Sequence, residues 1–234
     1  MDETDRRLAT AIKMTRVVRA PKQHLSTFGV TNLEYYLITT PIYSELVDGS
    51  EESVIREGRV ISEKPTIVTP QYLLNLEGFS DGARTYMESL MGFYGPNSPG
   101  LLYRYRNEPG DLEIIADATT VVAQRISDDL DRRKVDLAAV ILGVDDLWDV
   151  SLLKFIYEYT NASLESNVGD IQAKGLLDPE PDTNVPRGAI QHIEELFHQV
   201  KNGLDPNHLR EELSRWHLFE RYQDRFLNLF RNKK

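Results

Sequence analysis

Around residue 80 of this 234-residue chain, Gly78-Phe79-Ser80-Asp81-Gly82 carries the spacing of a serine-hydrolase nucleophile elbow, G-x-S-x-G. There the serine sits on a strained turn between a strand and a helix, which exposes its hydroxyl for attack on a carbonyl. A helix after the turn is readable in Ala83 to Leu90; a strand before it is not. Thr69-Pro70 is a helix-start signal, threonine as N-cap and proline in the first turn, so 70–77 reads as two helical turns. Gly78 then takes the left-handed position that ends that helix, Phe79 folds back on Leu73 or Leu74, and Ser80 or Asp81 caps the next. Read this way, the pentad is a corner between two helices. No His-Gly segment of the kind that helps build an oxyanion hole precedes it, and His192 stands far downstream.

A second constellation is "GVDDLWDVSLLKFIYEYT", residues 143–160. Asp145 and Asp149 lie four apart, so on a helix they share a face and could hold a divalent cation if further oxygen ligands came from elsewhere. Helix capping competes for the same residues. Asp146 as N-cap with Asp149 three positions on is a capping-box variant, and acids in a first turn oppose the helix dipole favourably. The helix beyond is apolar except for Ser151, Lys154 and Glu158, which reads as a narrow wet stripe with a Lys154–Glu158 pair on an otherwise buried helix.

A third is Glu195-x-x-His198, the spacing of di-iron bundles. Those need the motif twice, and only Asp205-x-x-His208 comes near a second copy. Exposed polar positions on an amphipathic helix account for it. Walker and G-x-G-x-x-G loops are missing. No catalytic residue, metal site or cofactor is assigned from these patterns.

The elements that must carry these residues can be read in part. Residues 4–19 are weakly periodic (Leu8, Ile12, Thr15, Val18) and predict a helix until Pro21. "LEYYLITT", "VIREGRVIS" and "PTIVT" are strand-like, separated by turn-rich "VDGSEES" and "SEKP". "LLYRYR-NEPG-DLEII" (101–115) predicts a hairpin looping at Asn107–Gly110, with Arg106 facing Asp111 and Arg104 facing Glu113. Those cross-strand acids argue against "YRYR" as a stacking platform for single-stranded nucleic acid. Residues 117–133 form an amphipathic helix on Val122, Ile126 and Leu130, while 137–144, "LAAVILGV" with Val135 and Asp136 before it, is strand or helix equally.

Gly, Pro, Asp and Asn in 165–187 predict a linker or long loop. Beyond it, 188–234 predicts three helices. Ile190, Ile193, Phe197 and Val200 make the first stripe, and Gly203 stops that helix. Asp205-Pro206 starts the next, faced by Leu209, Leu213 and Trp216; the last carries Phe219, Tyr222, Phe226, Leu229 and Phe230. The expected fold class is α+β: a mixed domain over 1–164 with strands and hairpins packed on helices, then the helical segment packed on that domain or on another copy of the chain.

Composition narrows the partners. The chain is 41% hydrophobic, has no cysteine and carries a net charge of −10. Disulfides, thiolate metal sites and cysteine nucleophiles are therefore excluded. A start without signal-peptide character, and no apolar run near the ~20 residues a bilayer requires, give the expectation of a soluble cytoplasmic protein without a membrane partner. Residues 1–24 hold Arg6, Arg7, Lys13, Arg16, Arg19 and Lys22 against three acids, a net of +3 that leaves −13 for the rest. Such a basic arm or helix either touches phosphates or lies against its own acidic domain.

Three functions are compatible with this reading. The first is a non-catalytic protein acting through protein–protein contacts, with homo-oligomerisation through the C-terminal helices among them. The second is a hydrolase using Ser80 or a metal held by Asp145 and Asp149. The third is a nucleic-acid-associated factor using the basic N-terminal residues, which the acidic balance makes unlikely.

Overall fold

The computed structural model describes residues 3–43, 51–68 and 100–231. Ser80 and the whole Gly78–Gly82 pentad lie outside the described residues. The fold is α+β, and the chain divides into two compact units: Met1–Lys64 with Tyr103–Asn167, and Pro65–Leu102 with Val168–Lys234.

The first unit is built on a five-stranded mixed sheet. Helix α1 (Glu3–Met14) precedes β1 (Arg16–Arg19), β2 (Thr31–Thr40), β3 (Ser53–Ser62) and β6 (Tyr105–Ile115); α2 (Thr119–Arg132) then crosses to β7 (Ala138–Val144). Sheet order is β1-β7-β2-β3-β6. β7 runs parallel to β2 (Tyr35 opposite Ala139, Ile38 opposite Leu142); the other neighbours are antiparallel.

This arrangement explains why 137–144 is unreadable by period. As an inner strand β7 is covered on both faces, so it needs apolar side chains at every position. Ala138 and Val140 join Ile38, Ile55, Val122 and Leu130 on the α2 side. Ala139 and Ile141 join Leu33, Tyr35, Leu37 and Val60 on the other, beneath Leu152, Phe155 and Tyr159 of the long helix α3 (Trp148–Ala173). The spacing read for α2 holds: Val122 and Leu130 are buried, with Ile126 packed against the same cluster.

Three expectations are corrected. The N-terminal helix ends at Met14, because Val17 and Val18 extend β1 along β7. Residues 165–173 are helical turns of α3, and the irregular segment starts only after Ala173. The hairpin over 101–115 does not form. Gly100–Leu102 is a separate strand, β5, paired with β4 (Thr66–Val68), while Tyr105–Ile115 is one continuous edge strand along β3.

The reason is the length of ladder on offer. β3 pairs from Ser62 opposite Tyr105 to Ser53 opposite Ile115, far more than the short arms of a local hairpin. Asn107, Glu108 and Pro109 pair in register with Val60, Arg59 and Gly58, and the extra residue is absorbed as a bulge at Gly110 and Asp111 opposite Glu57; Pro109 is tolerated because the strand is a sheet edge. Arg106 accordingly pairs with Glu108 of its own strand, at 3.0 Å. Glycine is required beside the bulge, since a Cβ on Gly58 would collide with the hydroxyl of the buried Tyr35.

In the second unit β4 and β5 supply Ile67 and Leu101 to a core shared with Ile171 and three helices: α4 (Arg187–Lys201), α5 (Pro206–Arg215) and α6 (Phe219–Arg231). The stripes read from sequence face this core through Ile193, Phe197, Val200, Leu209, Leu213, Trp216 and Phe226. Gly203, at φ +111°, ends α4's final turn in a conformation that favours glycine. Asp205 caps α5, accepting from the backbone N–H of Asn207 at 2.9 Å, with Pro206 in the first turn.

Candidate functional site

β7 and β2 are parallel, so their carboxyl ends meet at one edge of the sheet, where mixed and parallel sheets gather ligands. Asp145 stands there, in a 3-10 turn (Asp145–Leu147) joining β7 to α3. The Thr39 hydroxyl, near the end of β2, donates to its Oδ1 at 2.7 Å. Arg56, reaching across from β3, donates to the same oxygen at 2.7 Å and to the Thr39 hydroxyl at 3.0 Å. The Arg56 guanidinium also lies 5.8 Å from the centre of the Trp148 ring.

Burial pushes the Asp145 carboxyl up. The Thr39 hydroxyl, Arg56 and the backbone N–H of Ile42 pull it further down, so it sits below the usual carboxylate range. It is a carboxylate paired with the Arg56 guanidinium. Asp149 does not join it. It stands exposed in the first turn of α3 and accepts from the N–H of Val150 at 2.9 Å, a helix-start role. Asp146 pairs with Arg7 at 2.6 Å. Among the described residues no group of three or more His, Asp and Glu side chains could hold a metal ion.

The remaining motifs resolve into packing contacts. His198 bonds Asn202 one turn on, and His192 lies 4.0 Å from Glu195. Of the basic N-terminal residues, Arg7, Arg19 and Lys22 are tied to the body of their own unit. Arg19, 7% exposed, donates to Asp131 and to the carbonyls of Val135 and Ala138, and Lys22 pairs with Asp131 at 2.9 Å. Tyr103 and Tyr105 stack on each other, rings 6.4 Å apart. The Tyr103 hydroxyl accepts from Asn167, and that of Tyr105 bonds Thr160.

The feature that the sequence reading missed lies on α3. A mostly buried helix was expected, with Ser151 in its wet stripe. Instead Ser151 is fully buried, accepting from the Thr15 hydroxyl at 2.8 Å and the Val144 N–H at 3.3 Å. Lys154 and Glu158 do pair, at 3.2 Å, and Lys154 also donates to the Thr15 carbonyl. Beside them Leu153, Tyr157 and Leu164 are 63%, 68% and 39% exposed. At 3.6 residues per turn these three fall within an arc of about 40°. That arc lies opposite the buried Leu152, Phe155 and Tyr159.

Helix α3 therefore has two apolar faces, one in the core and one in solvent. A helix apolar all round is the sequence signal, which on its own reads as deep burial. Ile12 and Met14 of α1 are exposed as well.

No protein-family model, curated protein or solved structure matches this chain. Among the described residues no helix is long and apolar enough to cross a membrane.

Proposed function

We propose that the protein works by binding another polypeptide through the outward face of α3. The observation that carries this reading is the exposed row of Leu153, Tyr157 and Leu164 on a helix whose other face is core. Large apolar side chains aligned on one exposed helical face are the pattern a partner's hydrophobic groove or helix recognises. The site with the best placement for chemistry offers less. Asp145 is engaged by Arg56, Thr39 and Ile42, which suits a carboxylate that fastens β2, β3 and β7 at one edge. A cytoplasmic setting belongs to the same proposal; the acidic, cysteine-free composition is compatible with it.

Photo-cross-linking tests this reading. A benzophenone side chain at position 157 should give covalent protein adducts in intact cells, and the same group at Leu112, equally exposed on β6, should not. No adduct at 157, or equal adducts at both positions, contradicts it.

A further inference from the structure

We infer that helix α3 is hinged at residues 167–170, a joint about which the second unit turns on the first. The sequence marks the place. Ser166-Asn167-Val168-Gly169-Asp170 is an unbroken run of weak helix formers, the composition that reads as a linker. In the fold the run is helical, and the boundary between the two compact units falls inside it, after Asn167. The residues on either side are held by different cores. Asn167, 1% exposed, accepts from the Thr27 hydroxyl at 3.1 Å and donates to the Tyr103 hydroxyl at 2.9 Å, all within the first unit. One turn on, Ile171 is buried in the core that holds Ile193, Phe197 and Leu213 of the second. Gly169 stands midway between these anchors, and packing does not call for a glycine there. A Cβ at 169 would meet no described atom within 4 Å. Glycine inside a helix lets it open about fivefold more readily than alanine does.

The other two connections weaken at the same boundary. Ser62 opposite Tyr105 is the last pair of the five-stranded sheet at that end, and Thr66 opposite Leu102 belongs to the separate two-stranded sheet. Between them the ladder is interrupted. Pro65, which has no N–H to give, follows Lys64 where the units divide, and Tyr103 and Arg104 belong to neither strand. All three connections leave the first unit together, since Asn167 bonds Tyr103 and the Glu63 N–H donates to the Arg104 carbonyl at 3.0 Å. One body turns on another only where every connection yields at one place, and a weak helical turn beside an interrupted strand pair meets that condition.

Pulsed electron–electron resonance between spin labels tests this on the whole chain, where no native cysteine competes for the label. Val121→Cys on α2 with Gln191→Cys on α4 places one label on each unit, and Gln191→Cys with Gln223→Cys places both on the second. The pair that spans the units should give a distance distribution about twofold wider, or more, than the pair within one. Gly169→Ala, whose side chain enters open space, should narrow the spanning distribution and leave the circular dichroism spectrum unchanged. Hydrogen exchange locates the joint. Amides of 169–173 should exchange about tenfold faster than those of 155–163 in wild type, and slow about fivefold in Gly169→Ala. A spanning pair as narrow as the pair within one unit overturns the inference, as does a broad distribution that Gly169→Ala leaves unchanged. Exchange at 169–173 no faster than at 155–163 overturns it as well.

Discussion

Glu212→Ala is expected to destabilise the second unit by about 3–5 kcal/mol, the range for stripping one partner from a buried ion pair. Glu212 is 3% exposed on α5. One carboxylate oxygen accepts from the Trp216 indole N–H at 2.9 Å, and the other is held by Arg215, itself nearly buried. Alanine takes away the carboxylate that holds the largely buried Arg215 guanidinium and removes the acceptor for the indole. Because domains are stable by only about 5–15 kcal/mol, such a loss is a large share of the total. Urea denaturation followed by tryptophan fluorescence measures it. Replacing the pair together, Glu212→Met with Arg215→Leu, should cost far less than the single change, since two apolar side chains remove both desolvation penalties. A single-variant loss below about 1 kcal/mol would mean that the pair is solvated in the working protein.

Asp145→Ala is expected to cost about 2–3 kcal/mol near neutral pH, because it leaves Arg56 and Thr39 without their shared acceptor. The effect should depend on pH in a defined direction. The Asp145 carboxyl titrates below its unfolded value of about 3.9, so its contribution is complete above that value. As pH falls through the folded value the carboxyl takes up a proton, the attraction to Arg56 fades, and the contribution is lost. Wild type and Asp145→Asn should therefore differ by a steady gap above about pH 4, and that gap should close as pH falls below about 4. A gap that stays constant across that window would show that the carboxylate charge contributes nothing.

What the sequence disclosed follows from how locally each feature is encoded. The three C-terminal helices were legible because Ile193, Phe197 and Val200, then Leu209 and Leu213, repeat at helical spacing, and Asp205-Pro206 announces a helix start by its own chemistry. β2 and β3 were legible from their β-branched and aromatic runs. β6 was not. Asn107-Glu108-Pro109-Gly110 has the composition of a turn, and only the ladder along β3 draws it out into a strand with a bulge at its end. β7 defeated period counting because both of its faces are covered.

The candidate site divides in the same way. Asp145 drew notice through its neighbours in sequence, but Arg56, 89 positions away, is brought to it only by the sheet order. The α3 face was hidden for the opposite reason. Leu153 and Tyr157 look like core residues in any window, and only the burial of Leu152, Phe155 and Tyr159 on the other side shows that the first two are left over.

The most direct test of the α3 face as a contact surface is hydroxyl-radical footprinting of the wild-type chain, in intact cells and as dilute purified protein. In dilute solution Tyr157 and Leu112 should be oxidised in keeping with their similar exposure. In cells Tyr157 and Leu153 should be protected several-fold while Leu112 is not. Equal labelling of Tyr157 in both conditions would mean that nothing covers the face where the protein works, and would contradict the account.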